Sequence, residues 1–498
     1  MATSVLALYF LVLGVLALYG LHRLALTWTW WRRCRTRPAG AESPAAETPR
    51  AWPTVTVQLP IYNERYVAER LIDAVCALDY PADRLEIQVL DDSDDDTAAL
   101  VAARVAAQRA AGVDIHHVRR AERSGFKAGA LAEGLRQARG ELLAVFDADF
   151  VPQPEFLRQV VPTFDDPSVG MAQARWGHLN RDYSLLTRVQ AILLDAHFVI
   201  EHAARHVSGC LFNFNGTAGV WRRRAIDDAG GWQHDTLTED LDLSYRAQLA
   251  GWRFVFLPDV VVPAELPAEV NAFKSQQHRW AKGSIQSGRK LLGAVLRSRL
   301  PWRAKLEAMV HLTANGSYLL MLLLSALIFP AMWLRRGDDS WLLLAVDLPL
   351  FFAATVSVLI FFAASQSRRA PWWRTLWQLP ALMALGIGLA VNNSRAVLSG
   401  LVHDGGVFHR TPKFRLEADR ADGWAGKAYA LGKAASFYLE AALAVYFAVC
   451  FVLAVQQEMW WSLPFLWLFL QGYAYMTLLG LRPAGGWRRR PPAEPAAA

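Results

Sequence analysis

The chain has 498 residues, 53% of them hydrophobic, with 20 tryptophans. That balance excludes an ordinary soluble enzyme and leaves room for two or three domains. The formal charge of +7 does not indicate a nucleic-acid binder, because the basic residues cluster beside apolar segments, as they do at a membrane surface.

Residues Val5 to Leu21 form a nearly unbroken apolar run, followed by Arg23, Arg32, Arg33 and Arg35. A secretory signal would carry its positive charges before the apolar core. The observed order predicts an anchor helix over 1–36 with its N-terminus outside. Residues 37–53, rich in Pro, Ala and Glu, read as a linker.

From Thr54 the texture changes. Thr54 to Leu59, Glu86 to Leu90 and Glu141 to Phe146 have strand patterns, and Thr97 to Ala110 a helical one. Alternating strands and helices predict a parallel α/β sheet over 54–285. Such sheets bind ligands at the carboxyl ends of their strands. Asp91-Asp92 and Asp147-Ala-Asp149 both follow apolar strands directly.

Past Lys290 the chain turns apolar again. Spans are expected at about 308–333, 341–364, 434–455 and 460–482, each long enough for a hydrocarbon core of roughly 30 Å. The segment 376–391 is shorter and broken by Pro380, Gly386 and Gly388. It is read as interfacial or re-entrant, which keeps the basic 403–433 loop and Arg488-Arg489-Arg490 inside. Residues 286–482 then form interfacial helices and a transmembrane channel domain, with five spans in the whole chain. Residues 483–498 form a disordered cytoplasmic tail. Trp28-Trp30-Trp31, Trp372-Trp373 and Trp460-Trp461 fall at segment ends, as interfacial aromatics do. Cys34, Cys76, Cys210 and Cys450 are scattered without a CxxC pair, which predicts reduced structural thiols and no metal cage.

The soluble stretch carries the chemistry. Asp147 and Asp149 make a DxD at a strand end, able to hold a hard divalent cation that neutralises a diphosphate. Asp92, with Asp91 beside it, can accept a hydrogen bond from a base; a solvated acidic loop fits the same residues. Tyr62 can stack on a base or serve as a half-buried core residue. Lys127, in a glycine-flanked loop before a helix, suits phosphate or sugar, or a plain surface position. Thr238-Glu239-Asp240 opens an amphipathic helix. One acid, preferentially Asp240, can act as general base toward an acceptor hydroxyl. A Thr238 N-cap with acids in the first turn explains the same residues by structure alone. In Gln276-Gln277-His278-Arg279-Trp280, Gln276 and Trp280 share a helical face. Trp can stack on sugar, while Gln and Arg can bind hydroxyl and pyrophosphate oxygens; a membrane-surface helix is the alternative. Phe408 to Lys413 is a basic loop that also suits anionic lipid headgroups.

Taken together, these motifs resemble the processive family 2 glycosyltransferases: cellulose synthases and, more closely, the cellulose-synthase-like mannan and glucomannan synthases. The residues carrying the resemblance are Gln58 to Glu64, Val89 to Ser93, Asp147 to Asp149, Phe214 to Thr217, Thr238 to Asp240 and Gln276 to Trp280. Phe408 to Lys413 is similar to the gating-loop FxVTxK motif, with Arg410 in place of Val.

The resemblance implies a Rossmann-like GT-A catalytic domain in the cytoplasm, a helical transmembrane domain and a divalent metal, Mg²⁺ or Mn²⁺. Asp147 and Asp149 would hold the metal diphosphate, with Asp240 as base and Glu239 beside it. Tyr62, Glu64, Asp91, Asp92, Lys127, Asp147, Gln276 and Arg279 would bind the nucleotide sugar. Trp280 and the Asn215-Gly216-Thr217 loop would meet the acceptor; Phe408, Thr411 and Lys413 would belong to the gating loop.

The expected function is an inverting synthase in the plasma or inner membrane that extends a β-linked polysaccharide and threads it outward. UDP-glucose and a β-glucan are the first expectation. GDP-mannose with a mannan or glucomannan product is the alternative, as is a non-processive, ceramide-type lipid glycosyltransferase. The partners implied are the nucleotide sugar, the growing polysaccharide, membrane lipid and accessory export subunits, and no nucleic acid. The short Pro- and Ala-rich tail predicts no second-messenger-binding module.

Overall fold

The computed structural model describes residues 2–34, 52–335, 343–367, 369, 372–407, 410–416, 427 and 436–481. Phe408 of the expected gating motif, most of the expected linker and the 483–498 tail lie outside the described residues.

Seven strands form one sheet: β1 (Val55–Ile61), β2 (Leu85–Asp91), β3 (Ile115–Val118), β4 (Leu142–Val145), β5 (Val169–His178), β6 (Gly219–Arg222) and β7 (Arg253–Ala264), in the order β3-β2-β1-β4-β6-β5-β7. The first four run parallel, as strand–helix alternation requires. β6 runs antiparallel to both β4 and β5, while β5 and β7 are parallel. The sheet is therefore mixed, not wholly parallel as the pattern suggested. After β5 the chain makes a helical excursion over 185–207 and re-enters β6 from the carboxyl edge, with no crossover to the opposite edge. A four-residue strand opening on glycine is too short to show a period.

The alternation in β1 has a different cause from the usual inside/outside pattern. Val55, Val57 and Leu59 pack with Leu71, Ile72 and Val101 in one apolar core. Thr56 and Gln58 are just as buried on the other face. They are satisfied by β2: Thr56 Oγ1 donates to Glu86 at 2.6 Å and Gln58 Nε2 to Gln88 at 3.0 Å. Without those bonds each buried polar group would cost about 1–3 kcal/mol. The helix Phe126–Gln137 roofs this ladder through Gly134, where a Cβ would stand 2.5 Å from Gln58 Nε2.

Among the described residues five helices are long and apolar enough to cross a bilayer: Ala2–Arg33, Trp302–Leu334, Ala345–Ser365, Phe437–Gln456 and Trp460–Leu481. The helices Leu379–Gly388 and Ala390–Val402 meet at 42°, a broken span or a re-entrant pair. Trp28, Trp31, Trp373, Trp460 and Trp461 are exposed, but Trp30 is only 2% exposed. Trp30 belongs to the core that continues into the sheet domain, not to an interfacial belt. Arg33 nearby donates to the Val207 carbonyl at 3.2 Å, tying the helix to that domain.

The helix Val270–Arg297 joins the sheet domain to the apolar helices. Lys274 Nζ donates to Glu440 Oε2 at 2.6 Å with both side chains at most 1% exposed. Asn392 Nδ2 donates to the Lys274 carbonyl at 2.9 Å. Removing one partner of such a pair leaves a buried charge uncompensated. Lys274→Met alone and Glu440→Leu alone should each cost about 3–5 kcal/mol, and the double variant should recover most of that loss. Thermal unfolding in nanodiscs, followed by tryptophan fluorescence, measures it; strictly additive losses would show that the pair is not coupled.

Candidate active site

A cavity opens where β1, β2 and β4 end. Tyr62 and Glu64 follow β1, Asp92 follows β2, and Asp147 and Asp149 follow β4; all line it. Lys127, Asn215, Gly216, Glu239, Asp240, Gln276, Arg279, Trp280, Thr411 and Lys413 line it as well.

Two expected residues do not. Asp91 is 1% exposed, accepts from Ser93 N at 2.9 Å and faces His117 Nε2 at 2.9 Å. Burial alone would raise its carboxyl, yet the His117 and Ser93 bonds hold it below the usual range. Strand alternation puts Asp92 in the cavity and turns Asp91 away. Thr217 is fully buried, and its Oγ1 accepts from Asp147 N at 2.9 Å. It anchors the DxD from behind rather than meeting a sugar.

At one end of the cavity Arg120 grips Asp92 with two bonds, Nε to Oδ1 at 3.0 Å and Nη2 to Oδ2 at 2.5 Å. Arg123 lies over the Tyr62 ring, 3.3 Å from its centre, a cation–π stack. The sequence reading passed over both arginines, which sit in the basic run after the four-residue β3. It also passed over His178, which ends β5 and lines the cavity. The arginines follow and the histidine ends a strand whose pattern in the sequence is weak.

At the centre Lys127 Nζ donates to Asp147 Oδ1 at 2.5 Å and to the Gly216 carbonyl at 2.9 Å. Gly216 has φ +80°, and a Cβ there would stand 3.0 Å from Asp240 Oδ2. Asp240 begins the helix Glu239–Leu249, and its Oδ1 accepts from Leu241 N at 2.8 Å. Thr238 makes no side-chain cap; its hydroxyl pairs with Ser287 at 3.2 Å. The Thr238 side-chain cap is therefore not realised, although Glu239 and Asp240 do occupy the helix's first turn. Burial, then the neighbouring Glu239 charge, push Asp240 up to about 7. Burial also raises Glu239. Burial would lower Lys127, but Asp147 and Glu239 outweigh it and raise the ammonium. His278 leaves the cavity, with Nδ1 3.3 Å from the Asn392 carbonyl.

The 410–416 segment closes one side. Lys413 is 9% exposed, which removes it from lipid headgroups. Its Nζ donates to Asp149 Oδ2 and to the Glu265 carbonyl, both at 2.7 Å. Arg410, the departure from the gating motif, pairs with Glu64 at 3.0 Å. Burial pushes Glu64 up to about 8, against the pull of Arg410.

Asp147 and Asp149 supply two hard oxygen donors, and both already hold ammonium groups. Among the described residues no cluster of three or more His, Cys, Asp or Glu could hold a metal ion. A cation at the DxD would therefore need phosphate oxygens or water to complete its shell, a donor set suited to magnesium or manganese.

The mixed sheet, with acids at its carboxyl edge and a basic cleft between them, is a GT-A nucleotide-sugar fold. Residues 53–283 match the family "Glycosyltransferase like family 2". Over that stretch, just under half of its length, the chain is similar to the family 2 glycosyltransferases. It is 44% identical over 274 residues to glucomannan 4-beta-mannosyltransferase 1 of Oryza sativa subsp. japonica, covering 54% of this chain and 52% of that protein. It is 45% identical over 254 residues to glucomannan 4-beta-mannosyltransferase 2 of Arabidopsis thaliana, covering 50% and 47%. The matches span about half the length of these curated relatives. Among solved structures, a mannosyltransferase from Pyrobaculum calidifontis in complex with GDP-Man and Mn²⁺ aligns with a TM-score of 0.52 at 21% identity, covering 73% of this chain and 98% of that one. That likeness concerns the fold.

Lys413 occupies an oxygen of Asp149 that a cation would need. Lys413→Met should tighten Mn²⁺ binding to donor-free protein by about tenfold, the equivalent of one modest ion pair. Electron paramagnetic resonance titration checks it; unchanged affinity would show that the ammonium does not compete.

Proposed function

We propose that this chain is an integral membrane synthase that extends a β-linked, mannose-containing polysaccharide from GDP-mannose and passes it across the bilayer. The observation that carries the reaction class is Asp240, a half-buried carboxylate raised to about 7 beside the Gly216 loop. A base poised near neutrality can take the proton of an acceptor hydroxyl as that oxygen attacks the anomeric carbon. The displacement is single and inverting, and needs no protein nucleophile.

The donor assignment rests on the relatives. Both plant proteins are named glucomannan mannosyltransferases, which favours GDP-mannose over the UDP-glucose that the breadth of the resembling family put first. Tyr62, Asp92, Arg120 and Arg123 surround the base. Lys127 and Arg279 face the diphosphate, and Gln276 and Trp280 the sugars. Asp147 and Asp149 would hold Mg²⁺ or Mn²⁺, which when bound neutralises the departing diphosphate. Arg410 and Lys413 must leave Glu64 and Asp149 for the metal diphosphate to enter, which supports a gating role for their loop.

The membrane reading follows from the five apolar helices and from the arginines flanking the first, which favour a cytoplasmic catalytic domain. A sugar chain cannot cross hydrocarbon unaided, because each hydroxyl would lose water without replacement. Helices fused to the synthase give it a route.

Purified protein in nanodiscs, supplied separately with radiolabelled GDP-mannose or UDP-glucose and Mg²⁺ or Mn²⁺, should give high-molecular-weight product from GDP-mannose, digestible by β-mannanase. Product from UDP-glucose alone would overturn the donor assignment; a small lipid-extractable product would overturn polymerisation. Asp240→Asn should retain nucleotide-sugar binding while transfer falls by about 10²–10⁴-fold. In the wild type kcat/KM should decline below a pH of about 7, because protonated Asp240 cannot accept the proton. A flat profile down to pH 5 would remove Asp240 from that role.

A further inference from the structure

Behind the Asn215-Gly216-Thr217 loop lies a row of polar side chains that the reaction above does not use. Asn215 Nδ2 is 2.9 Å from His197 Nε2, and His197 Nδ1 is 2.9 Å from Glu201 Oε2. Glu201 lies 3.6 Å from Arg205 Nη1, and Arg205 Nε donates to Glu307 Oε1 at 2.8 Å. Glu307 Oε2 meets His22 Nε2 at 2.7 Å. The row runs from the cavity wall to the N-terminal helix.

Each link dictates the next. Burial would raise Glu201, but Arg205 and His197 hold it well below the usual carboxylate range. As a carboxylate it can only accept, so His197 Nδ1 carries the proton toward it and Nε2 offers a lone pair. Asn215 must then turn its NH₂ toward Nε2. Its Oδ1 is left buried and without a hydrogen-bond partner among the described residues. Asn215 lines the cavity, and the next residue, Gly216, abuts Asp240.

The loop backbone is held by other groups. Asn215 N donates to Gln173 Oε1, Phe214 N to Ser244 Oγ, and the Asn213 carbonyl faces His202 Nε2, each at 2.9 Å. His197 therefore adds only the orientation of one amide. His197 and His202 both sit on a π-helical turn, His197–His202, with ring centres 4.3 Å apart. The wider turn presents both imidazoles to one loop, and such turns are frequent at functional sites. A row of partly buried polar and charged groups is also a weak source of stability, because desolvation and solvent screening offset most of the attraction. Orientation is the better account of it.

We propose that Glu201 and His197 are positioning residues that hold the Asn215 amide so that its Oδ1 accepts a hydrogen bond from a hydroxyl of the acceptor sugar beside Asp240. The proposal rests on the glycosyl-transfer reading above and adds the groups that orient the acceptor.

The test compares transfer to a soluble β-linked oligosaccharide with hydrolysis of the donor by water, using full-length protein in nanodiscs and the donor that the wild type accepts. His197→Phe keeps the ring volume and removes both nitrogens. It should lower the transfer-to-hydrolysis ratio about tenfold through the acceptor KM, the worth of one buried hydrogen bond. His197→Gln, whose side-chain oxygen can accept from Asn215, should recover part of the ratio. Glu201→Gln can donate to Nδ1 and so reverse the tautomer; it should lower the ratio as well. An unchanged ratio in active His197→Phe and Glu201→Gln proteins would overturn the positioning role. So would a fall of both reactions by one factor with a lowered melting temperature. A wild type that uses UDP-glucose would overturn only the donor assignment, and the ratio would then be read with UDP-glucose.

Discussion

Carboxylates converge where three parallel strands end, and the cleft has to balance them with little water to help. Buried charges persist only when paired; otherwise they take up protons. The cleft uses both solutions. Asp92, Asp147 and Asp149 are held by Arg120, Lys127 and Lys413. Glu239 and Asp240 make no ion pair among the described residues, and burial raises both. One residue type is thus divided by environment into carboxylates held by cations and carboxylates pushed toward protonation, a separation that would suit acid–base chemistry at neutral pH.

The departure from a parallel sheet is what completes this arrangement. Because β6 enters from the carboxyl edge, the chain leading into it passes the end of β4. Ala218 N donates to the Val145 carbonyl at 2.8 Å, and Thr217 Oγ1 accepts from Asp147 N. Gly216 is thereby pinned between Lys127 and Asp240. A crossover into a parallel β6 would carry this loop to the opposite edge. The Gly216 loop and the DxD are adjacent because two strands run against each other.

The parts of the site that were legible in the sequence lie after strong strands. Leu142 to Phe146 announces a buried strand, so Asp147 and Asp149 could be placed from pattern alone. Asp91 and Asp92 follow an equally clear strand, but which of two adjacent acids faces the ligand depends on the phase of the pleat, and both were expected. Asp240 was ambiguous for another reason. A Thr followed by acids is what an N-cap looks like, and only the third dimension shows Thr238 bonded to Ser287 instead. Arg120, Arg123 and His178 stayed hidden because β3 is short and β5 has no clear alternation. Trp30 misled because the same residue anchors a helix in an interface or fills a core, and its neighbours in space decide which.

The helix Val270–Arg297 shows how the cavity and the apolar helices are joined. Residues advance about 100° per position around a helix. Gln276, Arg279 and Trp280 fall on one side and line the cavity. Lys274 and His278, four apart, fall on the other side and meet Glu440 and the Asn392 carbonyl. The buried pair with Glu440 resists sliding, since any shift would separate two charges in a medium that solvates neither. Displacement of the apolar helices, such as a passing polymer would impose, must therefore move Gln276, Arg279 and Trp280 with them. The cavity and the apolar helices are thus tied through one continuous helix that meets each with a different face.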